Sequence, residues 1–85
     1  MRIAVIGAVL ENPAQTQKQF NGVISVYKGI IKGRMGVPFD AEDIGVVAVT
    51  IAAEIDEINA LTGKLGNIPG VTVKTAVSKE IESAE

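Results

Sequence analysis

Residues 56–77 read D-E-I-N-A-L-T-G-K-L-G-N-I-P-G-V-T-V-K-T-A-V. Ile58, Leu61, Leu65 and Ile68 recur at i, i+3, i+7 and i+10, which places them on one face of a helix. Asp56 can cap the N-terminus by accepting backbone N–H bonds, and Glu57 suits the positive end of the dipole. Lys64 suits the opposite end, and Gly66 can end the helix in the left-handed conformation. Pro69-Gly70 then turns the chain. Val71, Val73, Thr75 and Val77 alternate with Thr72, Lys74 and Ala76, so the stretch is expected to be a helix feeding a strand with one apolar face.

Two further runs, Ile3–Leu10 (I-A-V-I-G-A-V-L) and Ile44–Ala53 (I-G-V-V-A-V-T-I-A-A), are apolar at both parities. A strand covered on both faces has that pattern. After the first of them, Asn12 is positioned as a helix cap, Pro13 as the first helical residue and Gln15 as the partner in a capping box. Phe20, Val23, Ile24 and Tyr27 form the stripe of this helix, Gly22 weakens it by ~1 kcal/mol relative to Ala, and Gly29 ends it. A strand is expected over Ile30–Val37. Plain alternation there sends Ile31, Met35 and Val37 to one side and Ile30, Lys32 and Arg34 to the other. Gly33 and Gly36 suit an edge position or a bulge. Pro38–Asp43 reads as a polar loop.

The order is βαββαβ, which predicts an α+β, ferredoxin-like sandwich of the ACT-like kind. Its four-stranded antiparallel sheet carries two helices on one face. The domain takes residues 1–79, and residues 80–85 form an acidic tail expected to fray. The doubly apolar strands one and three belong at the centre, the charged strands two and four at the edges. Two helices cover only one face of such a sheet, so another copy of the chain is the expected cover for the other, as a dimer or tetramer.

With 85 residues there is room for one small domain, and 47% apolar but only 4% aromatic residues require a core of Val, Ile, Leu and Ala. A net charge of −2 argues against direct nucleic-acid binding. The central strands also lack the aromatics on which RNA bases stack. The chain has no histidine and no cysteine, so no soft metal site, disulfide or cofactor ligation is expected. The apolar run at the N-terminus is too brief to span a bilayer, and a soluble, cytoplasmic protein is expected. Thr62-Gly63-Lys64 lies inside a helix and lacks the leading glycine and following Ser/Thr of a phosphate loop. Glu54, Asp56 and Glu57 are explained by the start of a helix. No pair of carboxylates, lysine or tyrosine forms a catalytic set, and the chain is read as a non-enzyme.

One charged constellation stands apart. By strand alternation Lys32 and Arg34 share a face, and Lys74 opposes Val71, Val73 and Val77, so all three cations are expected to rim the uncovered sheet face. Gly33 and Gly36 would let a ligand or a neighbouring backbone approach closely. Lys32, Gly33, Arg34, Gly36 and Lys74 are therefore the candidate site for a small anion or an acidic protein partner. Arg34 leads, because its planar fork can grip a carboxylate or phosphate. The plainer alternative is a solvated rim that discourages edge-to-edge pairing.

The stretches R-I-A-V-I-G (Arg2–Gly7), G-R-M-G-V-P (Gly33–Pro38) and A-L-T-G-K-L-G-N-I-P-G-V-T-V-K-T (Ala60–Thr75) resemble the regulator family of the iron-only hydrogenase system. The similarity runs from Arg2 to Lys79. It implies a stand-alone ferredoxin-like domain of the ACT kind, akin to the ligand-binding domain of nickel-responsive regulators. It also implies a regulatory or ligand-binding role. Asn12-Pro13-Ala14 stands where ACT domains carry Pro-Gly. The alternative is an oligomeric adaptor that docks a protein partner without a small-molecule ligand.

Overall fold

The computed structural model describes residues 1–82. Six elements follow in the expected order: β1 (Arg2–Glu11), α1 (Pro13–Val26), β2 (Ile31–Phe39), β3 (Ile44–Ala53), α2 (Ile55–Gly66) and β4 (Val71–Val77). Short 3-10 turns occupy Lys28–Ile30 and Asp40–Glu42. The sheet runs β2-β3-β1-β4 with every neighbouring pair antiparallel. This is the ferredoxin-like arrangement, with β1 and β3 in the centre.

β1 and β3 pair without a break from Arg2↔Ala53 to Glu11↔Ile44. Opposed residues point to the same face, so the pairing sorts both strands by parity. Ala4, Ile6, Ala8 and Leu10 face the helices with Val47, Val49, Ile51 and Ala53, and all eight are buried. α1 lays Phe20 and Ile24 on them; α2 contributes Ile58, Leu61 and Leu65, and Ile68 follows in the turn. Val71 closes the β4 side of the core. Thr75, on the same face of β4, is only half-buried, and its hydroxyl meets that of Thr62 on α2 at 2.8 Å. A polar group at the core margin is thus satisfied by the helix that covers it.

The helix ends depart from expectation. Asn12 does occupy the cap position of α1, but in the left-handed conformation (φ 51°, ψ 63°) and with no side-chain cap. The chain reverses there between two fixed points, Glu11 N donating to Gly70 O at 2.8 Å and Asn12 N to Asp43 O at 3.0 Å. Asn tolerates that backbone better than most residues. The Asn12 carbonyl then accepts from the amides of Gln15 and Thr16 at 2.9 and 3.1 Å. At α2 the cap position is Glu54, without a side-chain bond, and Asp56 sits with Glu57 inside the first turn, favoured by the dipole. Gly66 is the last helical residue rather than a left-handed stop. A Cβ there would lie 3.4 Å from Val73 Cγ2, so its smallness serves helix–strand approach. The left-handed glycine is Gly70, at φ 85°.

β4 continues into an extended tail. Ser78 N donates to Ile3 O and Ile81 N to Met1 O, both at 2.8 Å, and Arg2 Nη1 reaches Ser78 O at 3.1 Å. Glu80 hydrogen-bonds the Met1 ammonium, which holds its carboxyl below the ordinary range and raises the ammonium in return. Of the tail expected to fray, residues 83–85 lie outside the described residues, whereas Glu80 and Ile81 are fastened to the start of β1.

Three substitutions separate these roles. Leu61→Ala, at 0% exposure, is expected to cost ~2–5 kcal/mol in urea unfolding. Gly70→Ala forces a Cβ to 3.0 Å from Thr16 Cγ2 at positive φ, and is expected to cost ~1–3 kcal/mol. Gly63→Ala meets nothing within 4 Å and should stabilise by ~0.5–1 kcal/mol.

Candidate functional site

β2 holds the residues singled out in the sequence, and a bulge decides where they point. From Phe39↔Ile44 to Gly33↔Thr50 the ladder with β3 is regular; it then shifts, so that Ile31 pairs with Ile51. Lys32 is the extra residue. Ile31 therefore faces the helices as expected, but every later residue of the strand lies on the side opposite to that given by plain alternation. Met35 and Val37, expected in the core, lie on the open face and are 63% and 41% exposed. Arg34, expected on the open face, pairs with core-facing Val49 and points to the helix side. Its guanidinium stands 5.5 Å from the centroid of Phe20, and Nη2 donates to Asn21 Oδ1 at 2.6 Å.

The five candidate site residues are consequently not brought together. Arg34 and Gly36 lie on the helix side, Gly33 and Lys74 on the open face, and Lys32 in the bulge between the two patterns. Lys74 does lie where alternation puts it, opposite Gly7. Arg34 acts as a lid over the outer ring of the core, its stem and planar head covering Phe20.

What the bulge builds instead is a continuous apolar surface. Across the sheet the open-face rows read Val37–Val46–Val9–Thr72, then Met35–Ala48–Gly7–Lys74, then Gly33–Thr50–Val5–Ala76. Ile3 and Ala52 extend it at one end, Phe39 and Ile44 at the other. Among the described residues no helix crosses it. Ile3, Val5, Val9, Val37 and Phe39 remain between 41% and 46% exposed, values unusual for five neighbouring large apolar residues. Lys74 on the β4 edge and Glu11 at the end of β1 are the charges in these rows. Sequence reading anticipated the β1 and β3 contributions; Met35, Val37 and Phe39 were missed, and the signal for them was the glycine at position 33 that marks a bulge.

Among the described residues there is no group of three or more His, Cys, Asp or Glu placed to hold a metal ion. No helix among the described residues is long and apolar enough to cross a membrane. The fold and face define a ferredoxin-like domain with one covered and one uncovered sheet surface. The chain belongs to the TM1266-like family, whose model matches residues 2–75 and is described as "Iron-only hydrogenase system regulator, putative". Among solved structures it is similar to an uncharacterized protein, TM1266 from Thermotoga maritima. The two are 30% identical, with a TM-score of 0.87, over 93% of this chain and 100% of that one. No curated protein matches.

If Arg34 is a lid and not part of an open-face site, Arg34→Ala should cost about 1 kcal/mol in stability and leave the oligomeric state unchanged. Urea unfolding and sedimentation velocity check the two halves.

Proposed function

We propose that this chain is a non-enzymatic regulatory module that works as a homodimer closed through its open sheet face. The observation that carries the reading is the uncovered apolar face of β2-β3-β1-β4. Four strands ~4.8 Å apart and about seven residues long give a patch of roughly 400 Å² in projection. Monomeric soluble proteins rarely leave a contiguous apolar surface larger than a few hundred Å² in water. Two such faces packed ~10 Å apart form a sandwich of the ordinary kind.

A second copy fits better than an unrelated partner because the patch is self-complementary in the way an isologous contact needs. Its rows are built mostly of Val, Ile and Ala, with Met35 and Phe39 from β2 and Thr50 and Thr72 between them, and it carries one cation, Lys74, and one anion, Glu11. The area sets the strength. Together the two faces bury on the order of 1,000 Å², at the low end of specific interfaces, so a reversible dimer in the micromolar range is expected. Regulation by a protein of this kind rests on which surfaces assembly hides or presents, consistent with the family's description.

Sedimentation equilibrium tests the reading: the parent should pass from monomer to dimer over about 1–100 µM. Val9→Asp, which puts a charge in the centre of the face, should remain folded by circular dichroism and stay monomeric throughout. A parent that is monomeric at the top of that range, yet binds a heterologous protein through the same face, would replace the homodimer by the adaptor reading.

A further inference from the structure

The opposite side of the molecule carries a second surface that the dimer does not use. Between α1 and α2 lies a groove of about 570 Å³. That volume is within the range of small-molecule sites and well short of a trough for a protein segment. Val23 and Val26 of α1 form one wall, and Ile68 and Pro69, in the turn after α2, form the other. Val26 is 76% exposed, the most exposed large apolar side chain among the described residues. Gln19, Asn67 and Lys64 line the groove beside Tyr27 and are its amide- and ammonium-bearing residues.

Two features call for an occupant. Gly22 lines the groove in the interior of α1, where glycine costs about 1 kcal/mol relative to alanine, and a Cβ at that position would meet nothing within 4 Å. Packing within the chain therefore does not explain it, whereas close approach of a ligand to the helix backbone does. Among the described residues Lys64 is the only charged group in the lining. Among the described residues it has no ion-pair partner, and its ammonium rests 5.2 Å from the ring centroid of Tyr27.

We propose that the α1–α2 groove binds a small amphipathic carboxylate, its apolar body between Val23, Val26, Ile68 and Pro69 and its carboxylate on Lys64. Charge complementarity selects the anion, the two amides are placed to hydrogen-bond it, and the small volume of the open groove selects a metabolite-sized molecule. The site lies on the helix layer, away from the open sheet face, so it stands or falls independently of the homodimer.

Tyr27 is the only tyrosine and there is no tryptophan, so intrinsic fluorescence reports from within the groove. Sodium octanoate and the neutral octanamide serve as matched probes. Both should quench or enhance Tyr27 saturably, with dissociation constants on the order of a millimolar for ligands of this size. Octanoate should bind about two- to fivefold tighter than the amide, the range of a solvent-exposed ion pair. Lys64→Met should erase that preference while retaining octanamide. Gly22→Leu, which fills the groove and raises helix propensity, should abolish both. Val9→Asp should leave both unchanged. Amide shifts in 15N spectra of the parent should centre on residues 19–27 and 64–69, a readout that needs no variant. Non-saturable signals in the parent overturn the proposal. So do a charge preference that survives Lys64→Met, binding that survives Gly22→Leu, or shifts centred on the sheet.

Discussion

The unbroken pairing of β1 with β3 is the constraint on which the rest of the molecule hangs. Ten residues of each strand are held in one register, and that register divides both strands into a helix-facing and an open set. α1 and α2 have only one way to bury Phe20, Ile24, Ile58, Leu61 and Leu65, namely over Ile6, Leu10, Val49 and Ile51. β2 and β4 then take the two free edges, and each edge is blunted. β2 carries the Lys32 bulge together with Gly33, Gly36 and Pro38; β4 is short and bears Lys74. The sheet is thus protected against growth sideways while its open face stays available. In a chain of this size, where only ~60% of the unfolded surface is buried, the single helix-side layer is all the core there is.

Most of this was legible in the sequence because the strongest signals are periodic. Ile58, Leu61 and Leu65 do share one face of α2, with Ile68 carrying the stripe into the turn beyond it, and Ile44–Ala53 matches β3 residue for residue. The fold class, the strand order and the uncovered face followed from those runs. What was not legible depends on one inserted residue. A bulge at Lys32 leaves the composition of β2 unchanged but inverts the meaning of every position after it. Arg34 and Met35 therefore exchanged faces, and the cation cluster inferred from alternation does not form. The signal, a glycine on each side of Arg34, was present but is equally consistent with an edge strand. The helix ends failed for a different reason. Asn12 is placed by its own bond to Asp43 and by that of Glu11 to Gly70, both distant in sequence, and Gly66 by its approach to Val73 on the next strand; none of these is visible to local capping rules.

The two surfaces are separated by one layer of side chains, and that thinness limits how they can communicate. The groove is framed by Val23 and Ile68, and the β-sheet under them is the same sheet whose other face is open. A ligand can shift association only by the difference in its affinity for the two association states. A rigid core of Ile6, Val49 and Leu61, all at 0% exposure, transmits little of that difference as a change of shape. Stability itself offers a second route. Filling the groove and closing the sheet face both draw on the folded chain, so each raises its population by mass action. Where the free monomer is marginal, a ligand on the helices strengthens the dimer with no movement between the sites. Where it is fully folded, the two equilibria run independently. The helix-propensity cost at Gly22 and again at Gly63, both mid-helix glycines without a packing partner within the chain, pushes this small domain toward the marginal side.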